Sequence, residues 1–209
     1  MPQIKLNHLV NLHDARYCAS QNVHFMSYDI GRGLDRRLPP KTALEIIKWL
    51  EGPTHVLNFG NDLEGHAAFL SEHTLPGNLL FQFDPNTTPD PAETGPERLL
   101  RHFSFASPDE LANLAPDIDA AADTVAWVEL EPLAAHEAMV ELLDGFLLAH
   151  TNLILNVDAF GLEVIDRFEI PPNVIAMRKL VEEDFLNLSF DKFEALYDQL
   201  GIDQFELGE

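Results

Sequence analysis

The residues best suited to acid–base chemistry are two glutamates and a histidine at the ends of apolar, strand-like runs. Glu129 and Glu131 stand two positions apart at the end of the run 124–130, and His8 lies near the end of the run 3–9. Two crowded carboxylates push their pKa values apart, so one could donate a proton and the other accept one. A histidine changes charge near neutral pH and could serve as a general base. The competing interpretations are two solvated carboxylates and an ordinary loop histidine.

Positive charge is scarce in this chain and is concentrated in two segments. The chain has 13 Lys and Arg against 35 Asp and Glu. The basic residues that follow the second and eighth strand-like runs are Arg32, Arg36, Arg37, Arg178 and Lys179. Guanidinium groups bind carboxylate and phosphate through paired hydrogen bonds, so we expect a small anionic molecule as partner. The alternative is a salt-bridge network with the acidic residues of the same segments, Asp29, Asp35, Glu182 and Glu183.

Further polar residues gather at the ends of the strand-like runs. These candidate ligand-binding residues are Asn58, Gln82, Asp84, Asn156 and Asp158, together with Asn7 beside His8. Because side chains alternate along a strand, polar residues two positions apart share one side, and the apolar residues between them face the other. The apolar set is Phe81, Phe83, Val128, Leu130, Leu155 and Val157. The alternative is that these polar side chains only contact solvent at the rim of the sheet and bind no ligand.

Composition excludes several classes of partner. The formal net charge of −22 would repel nucleic acid and anionic membranes, so we expect neither. A single cysteine, Cys18, the lack of a visible secretory leader and the lack of a long apolar run predict a cytoplasmic protein. His102, Asp84 and Glu129 are acceptable metal ligands by type, but no spacing supports such a site. We therefore expect no metal and no cofactor.

Strand-like and helix-like segments alternate along the chain. The strand predictions are 3–9, 24–28, 54–59, 79–84, 100–105, 124–130, 152–157 and 173–178. The helix predictions are 12–21, 40–51, 62–73, 108–115, 133–149, 160–167 and 185–200. Region 85–99 has four prolines within a dozen residues, which predicts a loop or a single turn. This pattern predicts an α/β fold, a (β/α)8 barrel spanning 1–209 as one domain, with its ligand site at the C-terminal strand ends.

The opening segment carries a more specific pattern. Residues 4–15 resemble the first strand–helix unit of the phosphoribosylanthranilate isomerases, which runs Lys-Ile-Cys-Gly-Ile-Thr-Asn-Leu-x-Asp-Ala. The matching positions are Lys5, Asn11, Leu12, Asp14 and Ala15. The catalytic Cys of that family falls on Asn7, and the Gly that follows it falls on His8.

The resemblance extends over most of the chain. Residues 36–43 are similar to the family's Arg-Tyr-Val-Ser-Pro-x-x-Ala, which places Arg36 where the family's arginine contacts the substrate carboxylate. Residues 58–61 and 82–84 resemble the family's endings of strands three and four. The general acid of the family, an Asp that closes strand six, falls near Glu129 or Glu131. The resemblance implies a barrel isomerase of the aldose–ketose type, from tryptophan biosynthesis.

Three differences from the family pattern predict that this reaction is absent. The amide of Asn7 cannot take a proton from carbon near neutral pH. The Gly-Gly whose backbone amides bind phosphate is replaced by Val157-Asp158, and Ser-Ser-Gly after strand eight is replaced by residues 178–180. A bulky, negatively charged loop is a poor phosphate site.

Two classes of function follow from these patterns. The first is a divergent isomerase-like barrel that binds a small anionic or sugar-phosphate ligand at its C-terminal face. In that case we expect the negative group near Arg36 or Arg37 and Arg178, with Glu129 or Glu131 across from it. The second is a non-catalytic barrel that binds a ligand or a protein partner.

Overall fold

Eight parallel strands close into a barrel in the order in which they occur in the chain. The computed structural model describes residues 2–90, 92–178, 195–198 and 200. Each strand pairs with the next, and β1 pairs with β8 from Gln3↔Val174 to Asn7↔Arg178. The strands are β1 Gln3–Asn7, β2 Phe25–Asp29, β3 Thr54–Gly60, β4 Leu79–Phe83, β5 Leu99–Phe105, β6 Trp127–Pro132, β7 Leu153–Asn156 and β8 Val174–Arg178. The predicted (β/α)8 barrel is therefore confirmed.

Helices cover the outside of the barrel, and local sequence signals start several of them. The α-helices with complete bounds are α1 Leu12–Ser20, α2 Pro40–Ile47, α3 Leu63–Glu72, α4 Pro108–Ala122 and α5 Glu137–Ala149. Asn11, Asp62 and Ser107 cap α1, α3 and α4 by accepting hydrogen bonds from backbone amides of the first turns. Two short 3-10 helices lie at Pro96–Arg98 and Leu162–Arg167.

Several predicted helix limits were wrong. Helix α4 continues through Pro116 to Ala122, because its apolar face, which includes Ile118, remains buried against the barrel. The helix predicted from residue 133 begins only at Glu137, and Pro132 is the last residue of β6. The segment predicted as helix 160–167 contains a 3-10 helix. Among the described residues of region 85–99, the 3-10 helix Pro96–Arg98 is the only helical turn, as predicted. Most of the predicted helix 185–200 lies outside the described residues, of which 195–198 are helical.

The barrel separates two apolar regions. The main core lies between the strands and the helices and contains the apolar residues predicted to face outward, Phe81, Phe83, Val128, Leu130, Leu155 and Val157. A second cluster, here called the lower layer, fills the barrel interior with Phe25, Val56, Leu80, Leu100, Ile154, Val174 and Ala176. Towards the C-terminal strand ends, here called the mouth, the inward-facing side chains become polar. None of the described helices is long and apolar enough to cross a membrane.

Candidate functional site

A buried ion pair occupies the barrel interior directly above the lower layer. Lys5 Nζ lies 2.7 Å from Glu129 Oε2 and 3.2 Å from Gln82 Oε1, and it also donates to Asn7 Oδ1. Asn7 Nδ2 donates to Glu129 Oε1 at 2.7 Å. Burial raises the pKa of Glu129, but the positive charges of Lys5 and His102 outweigh it and leave that pKa lowered. Both oxygens of Glu129 are thus engaged, and the side chain of Asn7 is fixed between Lys5 and Glu129.

A histidine–carboxylate pair stands at the mouth between β1 and β2. His8 Nδ1 lies 2.5 Å from Asp29 Oδ2, and Asn58 Nδ2 donates to Asp29 Oδ1 at 2.8 Å. Burial raises the pKa of Asp29, yet the hydrogen bonds from His8 and Asn58 and the charge of Lys5 lower it overall. His8 has a φ of 60° and its side chain is 28% exposed. Asp29 therefore holds the imidazole from its Nδ1 side while part of the ring remains open to solvent.

A second histidine–carboxylate pair lies on the opposite side of the mouth, between β5 and β6. His102 Nε2 is 2.7 Å from Glu131 Oε2, and Arg178 Nη2 donates to Glu131 Oε1. Burial alone would raise the pKa of Glu131, but the hydrogen bond from His102 and the nearby positive charges lower it to about 2. Burial lowers the pKa of His102. The hydrogen bond to Glu131 and the negative charges of Glu129 and Glu131 outweigh burial, so the pKa is raised overall. The ionised carboxylate of Glu131 therefore favours the cationic form of the His102 imidazole.

Two backbone amides at the ends of β7 and β8 are already bonded to side chains of the loop after β7 and of β7 itself. The Asp158 amide donates to Asn156 Oδ1 at 2.9 Å, and the Arg178 amide donates to Asp158 Oδ2 at 2.7 Å. Burial, with a contribution from the charge of Glu131, raises the pKa of Asp158. The side chain of Asn156 is fully buried, and its Nδ2 has no hydrogen-bond partner among the described residues. The two amides are therefore satisfied, whereas Asn156 Nδ2 is a buried donor without a partner among the described residues.

The predicted arginine cluster does not converge on the mouth. Arg32 binds Asp62 through Nε and Nη2, at 2.9 and 2.6 Å from Oδ1, and also contacts Glu64. Arg37 Nε donates to the Ile30 carbonyl at 3.0 Å. Both arginines line a cavity of about 450 Å³ between α2 and α3, outside the barrel. The carboxylates that pair with the arginines thus differ from those predicted.

The remaining predicted residues divide between the mouth and the surface. Arg178 lies at the mouth with its side chain 46% exposed, and Arg36 is exposed. Asp84 is half-buried after β4, and its carbonyl accepts a hydrogen bond from Arg101 at 3.3 Å. Lys179 lies outside the described residues. Among the described residues, no group of three His, Cys, Asp or Glu side chains could hold a metal ion.

Sequence reasoning did not predict the contacts that three residues make at the mouth: Lys5 with Glu129, Asp29 with His8, and His102 with Glu131. Lys5 entered only as part of a family pattern, although alternation along β1 puts it on the same side as Asn7. The same argument on β5 puts His102 on the side of Leu100, inside the barrel. Extending the alternation argument to every strand would have identified both residues.

Comparison with known proteins agrees with this architecture. No family model matches the chain, and no curated protein matches it by sequence. The phosphoribosylanthranilate isomerase from Thermococcus kodakaraensis is similar in structure, with a TM-score of 0.74 and 14% identity over 96% of this chain and 99% of that one. The enzyme from Thermotoga maritima gives 0.72 and 14% over 96% and 100%.

A third similar structure contains a ligand. It is a phosphoribosylanthranilate isomerase in complex with reduced 1-(o-carboxyphenylamino)-1-deoxyribulose 5-phosphate, with a TM-score of 0.72 and 15% identity over 96% of this chain and 100% of that one. Agreement over nearly the whole length of both chains at such low identity is agreement in fold. The chain thus has the (β/α)8-barrel fold of the phosphoribosylanthranilate isomerases, as the resemblance of its opening segment predicts.

Proposed function

We propose that the chain is a divergent member of the phosphoribosylanthranilate isomerase family that binds a small anionic ligand, such as a sugar phosphate, at the barrel mouth. The observation that carries the proposal is the buried Nδ2 of Asn156, which has no hydrogen-bond partner among the described residues. An unsatisfied buried donor costs about 1–3 kcal/mol, and a ligand oxygen that accepts its hydrogen bond removes that cost.

The charge of the ligand is inferred from Arg178. Its guanidinium uses Nη2 for Glu131 and carries further N–H donors on a side chain that is 46% exposed. Charge-assisted hydrogen bonds from such a group favour carboxylate or phosphate. The similar isomerase that was solved in complex with a 5-phosphate supports the same ligand class.

We also propose that the family's own isomerisation is absent. Asn7 stands in place of the general base and is held by Lys5 and Glu129. Removal of a positioned general base typically lowers a rate by about 10²–10⁴. The carboxylate of Asp158 accepts from the Arg178 amide in the loop region where the family binds phosphate. Both features weaken that reaction, and the polar mouth remains available for a different ligand.

Ligand binding is the first test of this proposal. Sugar phosphates and aromatic carboxylic acids would be screened by thermal shift, and each hit would be measured by calorimetry. Arg178→Ala and Asn156→Leu should each weaken binding by about tenfold or more, because each removes one donor to the ligand. Arg16→Ala, on the exposed face of α1, is the matched control and should leave the affinity unchanged. Equal affinity in all variants would reject the site at the mouth.

Loss of the family's reaction is the second test. The gene should fail to support growth of a bacterial strain that lacks phosphoribosylanthranilate isomerase, and the purified protein should show no turnover of that substrate. The same strain carrying an active isomerase is the control. Robust growth with this chain would contradict the assignment of Asn7 as an inactive replacement.

A further inference from the structure

We infer that the cavity between α2 and α3 is a second ligand site, separate from the mouth, and that it takes a small zwitterion with an apolar body, such as an apolar amino acid. The inference goes beyond the proposed function and does not depend on it. The cavity has a volume of about 450 Å³. Sites for small molecules have volumes of about 300–1,000 Å³, so the cavity is large enough for a ligand of this size.

Two oppositely charged side chains of the cavity lack an ionic partner among the described residues. Arg37 lines the cavity and uses Nε for the Ile30 carbonyl at 3.0 Å, but it forms no ion pair with a described carboxylate. Its Nη groups are therefore available to the carboxylate of a ligand. Glu72 lines the same cavity, is exposed, and has no cationic partner in the described part of the chain. Its carboxylate can accept hydrogen bonds from an ammonium group.

The other charges around the cavity already neutralise one another. Arg32 binds Asp62 through Nε and Nη2, and its Nη2 also lies 2.9 Å from Glu64 Oε2. This leaves Arg37 and Glu72 as the two groups open to a ligand. A simple anion would be repelled by Glu72, and a simple cation would be repelled by Arg37. A zwitterion offers each of them a group of the opposite charge.

The rest of the cavity wall is largely apolar. Phe59 and Phe69 are almost fully buried and meet edge to face, with ring centroids 5.8 Å apart. Ile30 and Ala68 extend this apolar surface. Apolar surface beside a few polar groups is typical of small-molecule sites, because the apolar part of the ligand supplies affinity and the polar groups fix its orientation. The wall therefore favours a zwitterion with an apolar side chain over a small, fully polar one.

The loop that forms one side of the cavity is held in place without a ligand. A Cβ atom at Gly31 would lie 2.1 Å from the Phe59 carbonyl oxygen, so glycine is required for the loop to approach β3 this closely. The Gly31 amide donates to the Asn58 carbonyl at 3.0 Å, and the Arg32 amide donates to Asp62 Oδ2 at 2.8 Å. A preformed wall lowers the entropic cost of binding.

Calorimetry with amino acids and matched analogues tests the inference. L-leucine, L-phenylalanine and L-tryptophan would be titrated into the full-length protein, and at least one should bind saturably. For each binder, the amide analogue lacks the carboxylate and the deamino analogue lacks the ammonium group. Each analogue should bind about tenfold or more weakly than the amino acid, because each loses one charge-assisted contact.

Variants of the two charged residues separate a direct contact from a structural effect. Arg37→Gln and Glu72→Gln should each weaken binding of the amino acid by about tenfold or more. Arg37→Gln should not change the affinity for the amide analogue, and Glu72→Gln should not change the affinity for the deamino analogue, since those ligands lack the group that the residue binds. Arg36→Gln is the matched control, because Arg36 is exposed and does not line the cavity.

A blocking variant and NMR place the ligand in the cavity. Ala68→Trp, at an exposed position on α3, should fill the cavity and abolish binding while the melting temperature without ligand stays close to that of the parent protein. In the parent protein, amide chemical-shift changes on binding should be concentrated in residues 30–40 and 62–73.

Three results would overturn this inference: no saturable binding of any of the three amino acids, equal affinity for an amino acid and its amide, or an unchanged affinity in Arg37→Gln. These results would leave the proposed anion site at the mouth standing, because its screen and its variants concern different residues. Failure of the sugar phosphates and aromatic acids to bind would in turn overturn the proposed function and leave this inference standing.

Discussion

The two ends of the barrel interior are built from the same strands and have opposite chemistry. In the lower layer, Val56, Leu80, Leu100 and Ile154 pack against one another in an apolar cluster. Two residues further along the same strands, on the same side, stand the polar residues Asn58, Gln82, His102 and Asn156. A shift of two residues along the strands thus replaces an apolar core with a polar mouth. The lower layer gains free energy from burial, whereas the mouth must offset the desolvation of its charges by pairing them.

The contrast extends to the histidines. His66 packs among Phe59, Phe81 and Phe83 in the main core, at ring-centroid distances of 5.0 Å, and burial lowers its pKa to about 4. His102 has a raised pKa at the mouth because Glu131 and Glu129 outweigh its burial. The same side chain is held neutral in one region and favoured as a cation in the other.

The largest effect should come from breaking the buried ion pair of the mouth. Lys5→Met leaves the carboxylate of Glu129 buried without its cation, which should reduce the free energy of unfolding by about 3–5 kcal/mol. Urea denaturation at pH 7 measures this loss. The double variant Lys5→Met, Glu129→Gln removes both charges and should recover most of it. A loss below about 1 kcal/mol in the single variant would show that Glu129 does not depend on Lys5.

A change of pH should separate the two classes of histidine. The folded-state pKa of His66 is about 4 and its ordinary value is 6.5, so the unfolded chain binds more protons between these pH values. Stability should therefore fall as the pH drops from 6.5 to 4. His66→Phe should reduce this acid-induced loss by about 2 kcal/mol, measured by urea denaturation at pH 7 and pH 4.

The contribution of His102 to stability should change with pH in the opposite direction. Its folded-state pKa is raised, so its contribution to stability is fully present below pH 6.5 and is lost as the pH rises through the folded-state value. His102→Gln should make the acid-induced loss larger than in the parent protein. A smaller acid-induced loss in His102→Gln, or an unchanged one in His66→Phe, would contradict the contrast between the two regions.

The smallest effects should come from neighbouring inward-facing positions on β7. Ile154→Val in the lower layer removes one methylene from a packed core and should cost about 0.5–1.5 kcal/mol. Asn156→Leu at the mouth removes a buried unsatisfied donor together with the hydrogen bond to the Asp158 amide, so stability should stay within about 1 kcal/mol of the parent. Thermal unfolding compares the two variants directly. A large loss in Asn156→Leu alone would show that the asparagine has a structural role.

The sequence determined the architecture because local patterns carry it. Alternation along the strands specified which residues face inward, so that Leu130 packs outside the barrel while Glu129 lies within it. The prolines of region 85–99 excluded a long helix there. These signals depend on neighbours within a few residues, and therefore a single sequence contains them.

The partners of the polar residues were decided only by the tertiary structure. Lys5 meets Glu129 across 124 positions of sequence, and Arg178 meets Glu131 across 47. Helix α4 passes through Pro116 because packing against the barrel outweighs the local cost of a proline. Arg37, which sequence reasoning placed near the ligand, lies outside the barrel. Closure of the barrel and the register of its strands determine which polar residues meet. Neither closure nor register is encoded in any short segment of the chain.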